Sequence, residues 1–416
     1  MDDIYTYDYV KEYWDRFFPT VESAEDEPRR FVNPGQEGAT ARVPEYLAQL
    51  DDRAIREVLN NRYRVLPGRE KYPRTAMFKA MVWKRVIGER SLLAFHRLLL
   101  DSPFEALELG FRYDTNTGQV LVPSYQWLWC FSNEMFDVQS LEEILEVLAR
   151  ENAKLAKLLG VPVGKTTATD ATPLQTCRYD PAGEWNGHYK RRMVKVVLTE
   201  DVGTWLPLSC RVIGGNDAEG EELVPMLEEV RERVGPGTME DTLFDGGFTS
   251  NENLATVHAE LGLRAHYKIS QGWVADVRFP RDGPGARTPA EEVARLYERL
   301  NGEEWYVPGE SLEYKMRCLV KAGKHEPVAM HFRNAYMSEY EEAPDSVLDD
   351  YHARNNAEGV NGHMKDQWDL ERTLNVVGME AVKRHVLWAL VSAHVVAMVR
   401  LQHGVVENLL SITHIL

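Results

Sequence analysis

Two aspartates and a glutamate carry the chemistry this sequence is best equipped to perform. Asp170 closes a β-branched run beginning at Thr166 and is followed by Ala171-Thr172-Pro173. Asp245 closes another short strand, in Leu243-Phe244-Asp245-Gly246-Gly247-Phe248. Carboxylates at adjacent strand ends can share two magnesium ions, because hard cations prefer oxygen ligands. Two such ions clamp the attacking and leaving oxygens of a phosphodiester during in-line displacement. Glycine after Asp245 lets the backbone turn sharply beside a metal or a phosphate. In a chain with 65 acidic residues, two strand-end aspartates taken alone are more often turn formers.

A third element is more specific. Tyr351, Arg354, Glu358 and Lys365 stand at steps of three, four and seven. At 3.6 residues per turn these steps put all four within an arc of about 60° on one helix. Such a stripe suits a helix that lends a carboxylate to a metal while its cations hold phosphate oxygens. A surface helix with local Arg–Glu and Glu–Lys contacts would show the same stripe. Asn355, Asn356, Gly359, Asn361 and Gly362 are poor helix formers, each glycine costing about 1 kcal/mol relative to alanine. That conflict is expected where backbone must approach a ligand, or it marks a break after Glu358 that takes Lys365 off the stripe.

The elements that must position these residues form an α/β layout. After Gly160 the spacing changes to that of strands: 166–172, 193–198 and 204–213, then a helix over 221–234 closed by Gly235-Pro236-Gly237. A strand over 242–244, a helix over 251–261 and a strand over 264–269 follow, giving a mixed central sheet. Residues 272–334 read as an insertion with a helix over 289–300 and hairpin-like strands at 305–307, 312–320 and 327–332. Helices return from Ser346. Before Gly160 the pattern is helical, with apolar residues at three-to-four spacing in 52–59, 75–87, 91–100 and 140–159. Residues 1–40 are aromatic and acidic, then loop-like. The division is therefore a helical region, 1–160, and a sheet-containing region, 161–416, interrupted at about 272–334.

Composition bounds the class. Hydrophobic residues at 44% and charged residues at 27% describe a globular protein able to bury a large core. The longest apolar stretch, Val386 to Val399, is too short to span a bilayer and reads as a buried helix, so no membrane partner is expected. The opening Met1-Asp2-Asp3-Ile4-Tyr5 lacks the basic start and apolar run of a secretory signal, and the four cysteines are scattered without a CxxC pair. A reducing cytoplasm is expected. Zinc sites, HExxH, Walker loops and GxSxG contexts are absent from the sequence. His394 reads as a packed histidine, and Trp127 and Trp129 as helical-region core, with base stacking as the alternative.

A formal charge of −17 opposes phosphate binding at first sight. Lysine is scarce, however, 15 against 33 arginines, and acid is spread along the chain. That pattern fits a protein adapted to high salt as well as a plainly acidic one, and stability measured against salt separates the two. The segment 75–87 carries Lys79, Lys84 and Arg85, with Arg74, Arg90 and Arg97 around it, and reads either as a DNA-contacting face or as a solvated one.

The sequence resembles the DDE transposases of bacterial and archaeal insertion sequences, in the subgroup marked by Y-x2-R-x3-E-x6-K. Tyr351, Arg354, Glu358 and Lys365 meet that pattern, with the two aspartate blocks in order before them. Tyr72-Pro73-Arg74, Gly88-Glu89-Arg90-Ser91 and Val122-Pro123-Ser124 are similar to the front end of such enzymes, so the likeness runs from about residue 40 onward. It implies a ribonuclease H-like core and two Mg2+ or Mn2+ ions held by Asp170, Asp245 and Glu358. Tyr351, Arg354 and Lys365 would hold phosphates of the cut strand. The implied partner is double-stranded DNA, both element ends and target, bound by a homodimer in a prokaryotic cytoplasm. Arg178, Lys190, Arg191, Arg192 and Lys195, with His188, cluster near the first aspartate and are expected to contact DNA backbone. The reaction implied is cleavage at inverted-repeat ends followed by strand transfer. The alternatives are a nuclease that does not join, and a catalytically silent DNA-binding derivative.

Overall fold

The computed structural model describes residues 37–62, 72–268, 287–368, 370 and 376–412. Residues 1–36 and 269–286, which hold the aromatic-acidic opening and the first part of the expected insertion, lie outside the described residues.

The described residues open with helices: α1 (Glu37–Ala48), α2 (Arg53–Arg62), α3 (Arg74–Val86), α4 (Leu92–Asp101), α5 (Pro103–Glu108), α6 (Tyr125–Cys130) and α7 (Val138–Leu158). Side-chain caps set several starts, as expected where the first amides lack partners. Ser91 Oγ accepts from Ala94 N, and Asp137 accepts from Ser140 N. This part is not wholly helical. A two-stranded hairpin, β1 (Tyr113–Asp114) and β2 (Gln119–Val120), interrupts it. Asp114 builds its turn by accepting from Asn116 N at 2.9 Å and the Thr117 hydroxyl at 3.0 Å, and Gly118 takes the positive φ.

The cations of α3 do not form an open DNA-binding face. Lys79 is buried, and Arg74 donates to Leu59 O at 2.8 Å. Lys84 donates to Glu89 O at 2.6 Å, while Arg85 reaches the ring and carbonyl of His385. Charge pattern alone does not reveal which way long side chains turn.

Among the described residues the sheet has six strands: β3 (Thr166–Gln175), β4 (Glu184–Asn186), β5 (Arg191–Asp201), β6 (Pro207–Gly214), β7 (Asp241–Phe244) and β8 (Arg264–Tyr267). β5 pairs antiparallel with β3, β4 and β6, whereas β3–β7 and β7–β8 are parallel. Parallel neighbours need crossovers, here α8 (Leu223–Val234) between β6 and β7 and α9 (Asn251–Ala259) between β7 and β8. The sheet is thus mixed, as expected. β3 is longer than the sequence suggested and runs through Pro173, so Asp170 lies mid-strand; Pro173 is still paired with Lys195 by register.

Beyond the undescribed stretch come α10 (Pro289–Glu298), α11 (Leu312–Lys321) and α12 (His325–Glu342). The hairpin strands expected at 312–320 and 327–332 are therefore helices. Ser311 caps α11 through Tyr314 N, a helix signal that outweighs the short apolar run. Then follow α13 (Pro344–His352), α14 (Asn355–Asp366) and α15 (Met379–Gln402).

α15 is the central core helix and contains the expected buried segment 386–399, packed along α7 and against α3 and β6. The whole helix, 24 residues, is longer than the apolar stretch suggested and is long and apolar enough to cross a membrane, but 83% of its most apolar part is buried by protein. Phe78, Phe136 and Trp388 form an aromatic cluster with centroids 5.2–6.2 Å apart. Trp127, by contrast, is 46% exposed, edge-on to Tyr72, and is not core.

His394 joins the helices to the sheet. Its Nε2 donates to Pro207 O at 2.6 Å and its Nδ1 accepts from the Asn152 amide at 3.1 Å. Burial pushes its pKa down to about 4 from 6.5. The imidazole stays neutral in the fold and protonates first in the unfolded chain, so its contribution is present above pH 6.5 and lost on acidification towards 4. We expect this residue to account for about 1.4 kcal/mol of stability loss per pH unit in that window. Denaturation of His394→Gln between pH 7 and pH 4 should show a shallower slope; an unchanged slope assigns the titration elsewhere.

Candidate active site

The parallel register of β3 with β7 pairs Thr169 with Phe244, so Asp170 and Asp245 follow each other on neighbouring strands. Asp245 leaves β7 and caps the short helical turn Gly246–Phe248, accepting from Gly246 N at 2.6 Å. Asp170 stays in the ladder, opposite Leu198 of β5. Both carboxylates face one guanidinium. Arg354 Nη2 lies 3.2 Å from Asp170 Oδ1 and 3.9 Å from Asp245 Oδ2. Its Nη1 donates to the Tyr351 hydroxyl at 3.3 Å, and the Asn361 amide donates to Asp170 Oδ2 at 2.9 Å.

The surrounding contacts explain why these helices sit here. Arg264 of β8 pairs with Asp350 of α13 at 2.8 Å, which fixes the residue beside Tyr351. α14 rests on Trp205, in the β5–β6 turn. That residue has φ 65°, a strained value for a large side chain, and its ring lies 5.2 Å from His363. A Cβ on Gly359 would meet the same indole at 3.6 Å, an ordinary packing distance, so α14 lies against this ring.

The expected single helix from Tyr351 to Lys365 is in fact two. α13 ends at His352 and α14 starts after Arg354. α14 then continues to Asp366 through the glycines, so no break follows Glu358. Glu358 and Lys365 both lie on α14; the Glu358 side chain is outside the described residues, and Lys365 is partly buried. Of the basic cluster, Arg192 donates to Asp180 O and Gly183 O, and Lys195 binds Asp217 O and Glu219. These two are engaged within the protein. Arg178 and Lys190 are exposed, and Arg191 is half-buried against Tyr189.

Residues 162–408, more than half of the chain, match the family described as Transposase DDE domain. This chain belongs to the DDE transposases. No curated protein matches it. A solved structure, the piggyBac transposase synaptic complex with hairpin DNA, aligns at 11% identity over 82% of this chain and 87% of that one, with a TM-score of 0.29, too low to support any argument. DDE transposases generally use divalent metal ions.

Two residues of this transposase's site were missed from sequence. Asn361 was read as a helix disruptor, yet it stands seven residues after Arg354, two turns along one face, and both reach Asp170. Glu200 is the other. It pairs with Ala168, which puts it on the Asp170 face of the sheet, fully buried, and its Oε1 has no hydrogen-bond partner. Period-two spacing along β5 could have flagged it.

Burial dominates the Asp170 carboxyl and raises its pKa, against the pull of Arg354 and with a smaller push from Asp245. Burial likewise holds Glu200 well above its ordinary 4.5, helped by Asp170 and Asp201. A raised carboxyl pKa favours the fold at low pH and costs stability as pH rises towards the folded-state value. Glu200→Gln should therefore gain on wild type by about 1.4 kcal/mol per pH unit above the ordinary glutamate range, levelling once the buried carboxyl ionises. Urea denaturation at pH 5 to 8 measures this; a pH-independent difference means Glu200 titrates normally.

Proposed function

We propose that this transposase cuts DNA at the inverted-repeat ends of an insertion sequence and joins the freed ends to target DNA, using Asp170, Asp245 and Glu358. The observation that carries the reading is the convergence of two carboxylates from parallel strands on one guanidinium. One cation against two carboxylates leaves a net negative, oxygen-rich pocket, which fits hard divalent ions. Glu358 would complete it. By helical spacing its backbone position falls between Arg354 and Asn361, both of which reach Asp170. Strand order β6-β5-β3-β7-β8, with the first three antiparallel and the rest parallel, supports a ribonuclease H-like core. The Y-x2-R-x3-E-x6-K assignment is supported by Tyr351 and Arg354 standing at the aspartates.

Divalent ions held there, Mg2+ or Mn2+, would supply charge for the attacking and leaving oxygens. Asp170, Asp245 and Glu358 hold the ligating oxygens in place. Arg354, between carboxylates and the Tyr351 hydroxyl, is placed to pass to a phosphate oxygen of the cut strand, with Lys365 further along α14. In the first step water attacks phosphorus, and the P–O3′ bond breaks to leave a 3′-hydroxyl. In the second that hydroxyl attacks a target phosphodiester, and the target's own 3′-oxygen leaves. Two ends must be brought together, which a homodimer on DNA would do.

The test is a cleavage and joining assay on DNA bearing the repeats that flank the coding region, in Mg2+ and in EDTA. Cut ends and joined product in Mg2+ alone are expected. Cutting without joining makes the chain a nuclease; neither product overturns the reading.

A further inference from the structure

The connection between β3 and β5, residues 176–190, raises three aromatic side chains into solvent. Tyr179 is 85% exposed, Trp185 60% and Tyr189 44%. Exposed aromatics of this size cost hydrophobic free energy unless something covers them. The connection is also firmly built. Asn186 donates to Gly215 O at 2.9 Å and accepts from His188 N and Tyr189 N. Glu184 accepts from Asn216 N, Asn216 donates to Trp185 O, and Asp180 accepts from Ala182 N and Gly378 N. The aromatic side chains thus stand on an ordered base, which lowers the entropy cost of binding.

Charge singles out the occupant. Both acids of the connection are turned to protein amides, while Arg178 lies 5.8 Å from the Tyr179 ring centroid and Arg191 5.6 Å from that of Tyr189. Lys190 adds a third, exposed cation. In a chain of net charge −17, an outward surface of aromatic rings and guanidinium groups is complementary to bases joined by phosphates. Register gives its place relative to the acids. Trp185 pairs with Arg192, and Asp170 pairs with Leu198, six residues further along β5. Arg192, opposite Trp185, donates to Asp180 O, next to Tyr179, whereas Arg191, opposite Asn186 and beside the Tyr189 ring, faces the other way. Even spacing puts Trp185 on the Asp170 face, about 20 Å away along the strand. That is about six base steps at 3.4 Å each.

We propose that Tyr179 and Trp185 form a stacking surface for unpaired DNA nucleotides about six steps from the cut phosphate, with Arg178 on an adjoining phosphate. The location relative to a cut rests on the transposase reading; the stacking surface itself does not.

The test compares the full chain on two labelled DNAs in EDTA, by fluorescence anisotropy: a fork with six unpaired nucleotides and a fully paired duplex of equal length. Wild type should bind the fork more tightly. Trp185→Ala and Tyr179→Ala should each weaken fork binding by about 5- to 150-fold, with paired duplex changed less than about twofold and Trp185→Phe retaining most of the affinity. Because both positions are exposed, these variants should melt like wild type. Equal loss on both DNAs, no loss on the fork, or no preference in wild type overturns the proposal. So does conversion of a dimer to monomer by Trp185→Ala, which would assign the surface to a second copy. If fork preference persists while no DNA is ever cut, the transposase reading falls and the stacking surface stands.

Discussion

Asp245→Ala is expected to lower DNA cleavage by at least about a thousandfold, which corresponds to roughly 4 kcal/mol of transition-state stabilisation. The fold should survive. The Asp245 side chain is 50% exposed and touches Gly246 N and the distant edge of the Arg354 guanidinium. Losing that cap costs about 1 kcal/mol. DNA binding should hold or strengthen, since a negative charge is removed beside phosphates. Separate readouts make the result specific: cleavage by gel, affinity by anisotropy, and thermal melting on one preparation. Full cleavage in this variant would remove Asp245 from the mechanism.

Arg354→Ala should do two kinds of damage. Arg354 and Asp170 have side chains only 12% and 19% exposed, so removing the cation strands a largely buried carboxylate. Breaking a fully buried pair costs about 3–5 kcal/mol, and the remaining exposure here brings the expectation down to about 2 kcal/mol. Cleavage should fall by about a hundredfold or more, with a pH signature. Arg354 pulls the Asp170 pKa down against burial, so its loss lets that pKa rise further. The carboxylate then forms only at higher pH, and the acidic limb of the pH–rate profile moves alkaline. Arg354→Lys keeps charge without the planar fork and should fall between. A profile superimposable on wild type would show that Arg354 does not tune Asp170.

The sheet and the pairing of the two aspartates were legible because β-branched runs and Asp-Gly-Gly turns are local signals. Register then follows from burying one face of each strand. Three things depended on distant partners and were not legible. One was the break at Ala353-Arg354, since two short helices in succession present nearly the same stripe as one. Another was Asn361, whose helix penalty is visible locally while its compensation, a bond to Asp170, lies 191 residues away. The inward turn of Lys79 and Arg85 was the third, because charge spacing on α3 does not show that His385 and the core wait on that side. The hairpin misread at 312–320 had a local remedy, the capping Ser311.

The long separation between Asp170 and Arg354, 184 residues, also orders events during synthesis. At about 5–20 residues per second, both aspartates leave the ribosome many seconds before the segment that brings their counter-charge. A nascent or prematurely terminated chain ending before position 354 carries both aspartates but neither the Arg354 guanidinium nor the Asn361 amide that reach Asp170. On the proposed mechanism, fragments ending before position 354 would not cut DNA.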